Sequence, residues 1–422
     1  MEKKSGLSAP SYLDYFTKRR KKENLIIIVI LLFILSTSCI FLINLLIKNK
    51  TQIFYKETPI SKIQPSETKN TPVVDSVKDV IGFLPSWSIA NRSRVDTGNF
   101  SQIIYFGLGV NKDGGLIQYD ENGFPVIEWT YFNSDYFTKI RKDALKSNTK
   151  ILLAVKSFDN ETIDNITSNP NATSYLTKQL LNIIKKFSLD GVNIDFEYIT
   201  DSDVNFPTSK YLNKFLEELS QKLKQENPKL IISIDVNATA VLNDNAFNMT
   251  RIGRAADQVI IMAYDYRQQN SIFAGPVAPL YGEQNEHSIW ESVHALSGRV
   301  ESGKIILAIP FYGYEWQTVS ENNKSSVIPQ SGALATYKRV KELLKERNDI
   351  KKHWDNVAKS PWLTYRQYGE IKQIYYEDER SITEKLKFSK DRKLGGIAFW
   401  ALGYEGNNQE VFDVIKKEIK IN

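Results

Sequence analysis

Leu189-Asp190-Gly191-Val192-Asn193-Ile194-Asp195-Phe196-Glu197-Tyr198 is the stretch of this 422-residue chain on which the reading of the fold turns. In a β-strand successive side chains point to opposite faces, so Val192, Ile194 and Phe196 share one face and Asn193, Asp195 and Glu197 the other. The apolar face calls for a covering layer of helices. The polar face must then point inward, where carboxylates are costly unless paired, hydrogen-bonded or protonated. Two neighbouring carboxyls raise at least one pKa, which is how a glutamic acid stays protonated near neutrality and serves as a general acid. An isolated Asp-x-Glu could also be an internal polar plug. The position of Glu197 at the end of the run favours chemistry, because barrel enzymes carry their reactive groups at the C-terminal ends of the strands.

Seven further apolar runs flank this one: Val80 to Leu84, Ile103 to Leu108, Ile151 to Val155, Leu230 to Ile234, Val259 to Met262, Ile305 to Ile309 and Gly396 to Trp400. Most are too continuously apolar for one-sided antiparallel strands. Helical patterns lie between them, as in Tyr175 to Phe187 and Tyr211 to Leu223, where apolar residues recur at helical spacing. Alternating strands and helices imply parallel strands with crossover helices. Eight of them fit a closed (β/α)8 TIM barrel of the α/β class over residues 78–422, although pattern alone also permits a doubly wound sheet. The long interval after Ile309 predicts a small α+β insertion between strands seven and eight, at about 314–378. Within it Ala333 to Leu344 reads as helix, and Trp362 to Tyr365 with Ile371 to Tyr376 as a hairpin.

Composition agrees with a folded globular protein, at 42% hydrophobic and 25% charged residues. The formal charge of +6 is concentrated at the start: residues 1–22 alone carry +5, so a basic nucleic-acid groove is disfavoured. Leu25 to Ile47 is an uncharged run of 23 residues. At ~1.5 Å per residue it spans a ~30 Å hydrocarbon layer with some tilt, which predicts a transmembrane helix. A cleaved signal would have a shorter apolar core and a small-residue cleavage site. Five consecutive basic residues, Lys18 to Lys22, predict a cytoplasmic tail at 1–24 and everything after Lys48 outside the membrane. Residues 48–77 have the composition of a flexible linker. The single cysteine, Cys39, falls within the apolar run, so no intramolecular disulfide can form.

The carboxylate stretch resembles glycoside hydrolase family 18, the chitinase-like enzymes, whose fourth strand carries Asp-Gly-x-x-x-Asp-x-Glu. Asp190, Gly191, Asp195 and Glu197 match it. Met262-Ala263-Tyr264-Asp265 matches the family's Met-x-Tyr-Asp on strand six, and Trp400 matches its tryptophan ending strand eight. Lys304 to Gly313 and the insertion after it are also similar to that family. The resemblance implies substrate-assisted hydrolysis, in which the N-acetyl group of the sugar is the nucleophile. Glu197 would be the acid, Asp195 would hold the acetamido N–H, Tyr264 the acetamido oxygen, and Asp265 the distorted ring. Trp400 would floor the sugar site beside Met262, and Trp87 and Tyr312 would add substrate contacts, with Tyr314 and Trp316 as further stacking candidates. Arg267 either steers an acidic substituent or pairs with a carboxylate.

Two departures bear on this reading. Asn193, counted with the catalytic set, stands where chitinases usually have another Asp, so Asp195 is expected to lose one source of upward pKa shift. Lys156-Ser157-Phe158-Asp159 lacks the Ser-x-Gly-Gly typical of chitinases. Both features are similar to a bacterial branch that includes spore and cell-wall hydrolases. The expected activity is a membrane-anchored retaining glycosidase acting on β-linked N-acetylglucosamine in chitin, chitooligosaccharide or peptidoglycan. The alternative is a non-catalytic sugar-binding lectin, which the joint presence of Glu197, Asp195, Tyr264 and Asp265 disfavours. His287, His294 and His353 lack metal-ligand spacing, so neither metal nor cofactor is expected.

Overall fold

The computed structural model of the chain describes residues 77–198, 208–242 and 247–419. The expected membrane span at 25–47, its basic tail and the expected linker through residue 76 lie outside them, while Val77, the last residue of that linker, is buried against the barrel. Among the described residues no helix is long and apolar enough to cross a membrane.

Strands β1 (Asp79–Pro85), β2 (Gln102–Gly109), β3 (Lys150–Ser157), β4 (Gly191–Phe196), β5 (Ile231–Asn237), β6 (Gln258–Met262) and β7 (Ile305–Pro310) come first. The insertion follows, with β8 (Tyr312–Thr318), β9 (Ala333–Thr336), β10 (Lys351–Asp355), β11 (Ser360–Gln367) and β12 (Glu370–Tyr375), and then β13 (Gly396–Trp400). The first seven and β13 close into a barrel in the order β1-β13-β7-β6-β5-β4-β3-β2, with parallel pairing throughout. A doubly wound sheet is thereby excluded.

The alternation in β4 sorts its side chains between two cores. Val192, Ile194 and Phe196 belong to the layer between strands and helices. Asn193 and Asp195 are buried in the barrel, whose interior is otherwise lined by Ile81, Ile104, Leu152, Ile260 and Ile306. The helix Thr208–Glu226 covers β4 with Leu212, Phe215, Leu216 and Leu219, and Phe215 stacks on Phe196 with ring centroids 5.5 Å apart. Fully burying one such side chain stabilises the fold by about 1.5–3 kcal/mol, and Phe215→Ala would cost about 3–5 kcal/mol. Gly191 is required where β4 enters the sheet, since a Cβ there would lie 2.0 Å from the Ile231 carbonyl oxygen. Asp190 beside it accepts a hydrogen bond from the Ile151 amide at 2.8 Å, tying β4 to β3.

The preceding helix runs Pro170–Phe187, five residues longer at its start than its apolar pattern indicates. Asn169 caps it by accepting from the Asn171 amide, and Pro170 occupies the first turn, where its missing N–H costs nothing.

The insertion is a five-stranded antiparallel sheet, ordered β10-β11-β12-β8-β9. It begins at Tyr312, with only Phe311 between it and β7, rather than at 314. The expected helix at Ala333 to Leu344 is corrected at its start. Ala333–Thr336 pairs with β8 as an edge strand, and the helix is Tyr337–Glu346, with Thr336 capping it through the Arg339 amide. The expected hairpin is formed by β11 and β12.

Candidate active site

The C-terminal ends of the barrel strands open into a cleft of about 450 Å³. Asp195 and Glu197 enter it from β4, Met262, Tyr264 and Asp265 from the end of β6, and Trp400 from β13. Tyr312, at the start of β8, and Trp87, just past β1, also line it. Chain segments far apart in sequence thus present their polar ends to one volume because parallel strands all finish on the same face.

Trp400 packs edge-on against Phe106, Phe83 and Trp87, with ring centroids 4.6, 5.7 and 6.1 Å away. Three rings meeting the indole hold its plane in place at the cleft wall. The Trp400–Ala401 peptide is cis.

Asp265 has φ of 59°, in the left-handed region that Asp tolerates better than most residues. Its Oδ1 accepts hydrogen bonds from the Tyr312 hydroxyl at 2.5 Å and the Tyr314 hydroxyl at 3.1 Å. The insertion therefore reaches into the barrel mouth and fixes a carboxylate there. Burial raises the Asp265 pKa, and the two phenols pull it back.

Glu197 is raised above the usual carboxylate range, first by burial and then by the charge of Asp265. Asp195 is raised well above it, by burial, then by Asp235 and Glu197, while Lys156 acts in the opposite direction. Lys156 lies opposite Asp195 in the β3–β4 register, and its ammonium contacts Glu128 at 3.3 Å and the Phe106 ring at 4.9 Å. Such a site can keep a carboxylic acid protonated near neutrality beside a second carboxyl.

Asn193 is fully buried below the cleft and is absent from its lining. Its amide donates to Asp235 Oδ1 at 2.8 Å and to Ser233 Oγ at 3.1 Å. The expected loss of an upward influence on Asp195 is thus corrected: Asp235 supplies that charge from the next strand. Asp235, Phe106 and Lys156 line the cleft without having been singled out from the sequence. A signal for Asp235 existed, since Ser233, Asp235 and Asn237 alternate with Ile232, Ile234 and Val236 in the same manner as in β4.

Trp316 is fully buried in the insertion and donates its indole N–H to the Gln269 carbonyl, so it is a packing residue and not a stacking surface. Tyr314 reaches Asp265 but does not line the cleft. Arg267 resolves as an ion-pair partner, at 3.1 Å from Glu286.

The family model described as Glycosyl hydrolases family 18 matches residues 79–405. The uncharacterized glycosylase YvbX of Bacillus subtilis (strain 168) is 27% identical over 335 residues, covering 77% of this chain and 89% of that protein. Among solved structures, the Group IV chitinase of Ostrinia furnacalis superposes with a TM-score of 0.69 at 19% identity, covering 81% of this chain and 99% of the other. The spore cortex-lytic enzyme SleL of Bacillus cereus superposes with a TM-score of 0.65 at 18% identity, covering 83% of this chain and 76% of the other.

Proposed function

The chain belongs to glycosyl hydrolases family 18, and from that premise we propose that it hydrolyses β-linked N-acetylglucosamine polymers with retention, using the acetamido group of its substrate as nucleophile. The observation that supports this most strongly is the convergence of Glu197, Asp195, Tyr264 and Asp265 on one cleft beside Trp400. Glu197 donates its proton to the glycosidic oxygen as the bond to the anomeric carbon breaks. The acetamido oxygen attacks that carbon from the opposite face and forms an oxazolinium ion. Asp195 accepts the acetamido N–H and offsets the developing positive charge, an electrostatic role that strengthens as the bound sugar displaces water. Tyr264 donates its hydroxyl to the acetamido oxygen, and Asp265 holds the distorted ring. Water then attacks the anomeric carbon, its proton passes to the Glu197 carboxylate, and the anomeric configuration is retained.

The test uses N-acetylglucosamine oligomers of defined length and purified peptidoglycan, with Glu197→Gln as control and the product anomer followed by NMR. Cleavage that initially yields the β-anomer and is lost in the variant supports the reading and ranks the two polymers. Saturable sugar binding without cleavage by either protein replaces it with the lectin reading.

Residues 25–47 anchor this enzyme in the membrane, with the N-terminus cytoplasmic and the barrel outside, a part of the proposal supported by the apolar run and the basic residues before it. Protease added to intact cells should remove the barrel, and its full protection would overturn that orientation.

A further inference from the structure

Strand β5 brings to the site a carboxyl that the mechanism above does not use. Asp235 is 2% exposed, lines the cleft with Asp195 and Glu197, and accepts the Asn193 amide at 2.8 Å. Asn193 pairs with Ser233 and Ile194 with Ile234 in the parallel β4–β5 register. One step nearer the mouth, Asp195 and Asp235 follow on the same interior faces of adjacent strands. Asn193 Oδ1 and Asp195 Oδ1 are both buried without a hydrogen-bond partner, so a proton between the carboxyls would have an acceptor waiting.

The surroundings decide where charge can reside. Asp195 faces Lys156 of β3, Glu197 of its own strand, Asp235 of β5, and Tyr264 with Asp265 from β6. Across the barrel, Phe83 of β1, Phe106 of β2, Tyr312 of β8 and Trp400 of β13 bring no charge. Lys156, on the side of Asp195 away from Asp235, favours the anion of Asp195, and the Asn193 amide favours that of Asp235, so the two carboxyls compete for one charge. Two carboxyls in an apolar interior avoid ionising together, and the amide of Asn193 is neutral at every working pH.

We propose that Asp235 is a positioning residue of this reaction: pinned by Asn193, it supplies from β5 the second inner carboxyl that β4 lacks, and holds one proton jointly with Asp195. While the proton sits on Asp235, Asp195 is free as the anion that meets the acetamido N–H. This rests on the glycosidase reading, and its consequences are separable from it.

The experiment compares wild type, Asp235→Asn and the exchange variant Asn193→Asp/Asp235→Asn, each checked for folding by near-ultraviolet circular dichroism. Asp235→Asn is expected to lower kcat about 10- to 100-fold with little change in KM, and to shift the acidic limb of the kcat profile by about one unit, because Asp195 then ionises without a neighbouring carboxyl to share its proton, while the basic limb stays in place. The exchange variant puts the carboxyl back on β4 and is expected to recover most of the rate and the wild-type acidic limb. Acidic limbs that coincide in wild type and Asp235→Asn would overturn the proposal, as would an exchange variant that folds and recovers nothing. Infrared titration of the substrate-free protein gives a readout independent of turnover, in which Asp235→Asn must lose a protonated-carboxyl band present in wild type near neutrality. An inactive wild type that shows this loss rejects the glycosidase reading alone. An active one without it rejects the role of Asp235 alone.

Discussion

Two groups of carboxyls are buried in this molecule, and they are handled in opposite ways. Outside the barrel, at the entry to the helix Glu379–Asp391, Glu377 and Lys385 are 1% and 0% exposed and meet at 2.7 Å. Ser381 also donates to Glu377 at 2.7 Å, and although burial raises the Glu377 pKa, Lys385 and Ser381 pull it back. Charge there is matched at the point of contact. Inside the barrel burial raises the pKa values of Asp195, Asp235 and Glu197, the charges of Asp235 and Glu197 raise Asp195 further, that of Glu197 raises Asp235, and Lys156 beside Asp195 is shared with Glu128. Matched buried charge fixes a local structure. Unmatched buried charge stores the capacity to hold and release protons, at a cost in stability that the rest of the fold must offset.

The strongest challenge to this contrast is Glu197→Gln. It should lower kcat by ~10²–10⁴, equivalent to about 3–5.5 kcal/mol, while leaving the fold as stable or more so. The pH dependence has a definite sign. Glu197 binds its proton more tightly in the folded state than in the unfolded one, so its contribution to stability is complete below the ordinary carboxyl pKa and lost as pH rises through the raised value. The Tm difference between variant and wild type should therefore grow in favour of Gln from about pH 4 upward. A variant less stable than wild type at pH 7 would contradict the idea of stored charge.

Lys385→Met is the counterpart in the matched pair. Leaving Glu377 buried without its cation should cost about 3–5 kcal/mol in urea unfolding, with kcat per folded molecule unchanged. The double replacement Glu377→Leu with Lys385→Met should recover much of that loss. Failure to recover it would show that the pair contributes more than charge balance.

Asp195→Asn tests whether the inner anion acts in the transition state, with an expected drop of ~10²–10³ in kcat and a small change in KM. A drop confined to KM would instead assign Asp195 to ground-state binding. Tyr312→Phe should have the smallest effect, about 1.5–3 kcal/mol for a hydrogen bond to a charged group. Because Tyr312 lowers the Asp265 pKa, its removal should raise that pKa and shift the acidic limb of the rate profile upward. An unshifted limb would disconnect the insertion from the chemistry.

Much of this architecture is legible without coordinates. Gly191–Phe196 and Gly396–Trp400 are strands with the boundaries their apolar runs indicate, because a strand buried on its outer face must be apolar at every second position. Ala333–Thr336 was misread because an edge strand of four residues leaves a periodicity too short to separate from the helix after it. Asp235 was missed for a related reason. An apolar run ending at Ile234 stops one residue before the polar alternation of β5 reaches the cleft.

The sequence by itself determined the succession of strands and helices, the inward face of β4 and the end of that strand at which Glu197 stands, since each follows from the spacing of neighbouring side chains. Only the tertiary structure decided which distant groups meet. Asn193 reaches Asp235 across 42 positions and Asp265 is held by Tyr312 across 47, contacts that depend on closure of the barrel and on the strand that starts the insertion. Local spacing sets which way a side chain faces, and the partner it faces is set by the register between strands, which is a property of the whole closed sheet.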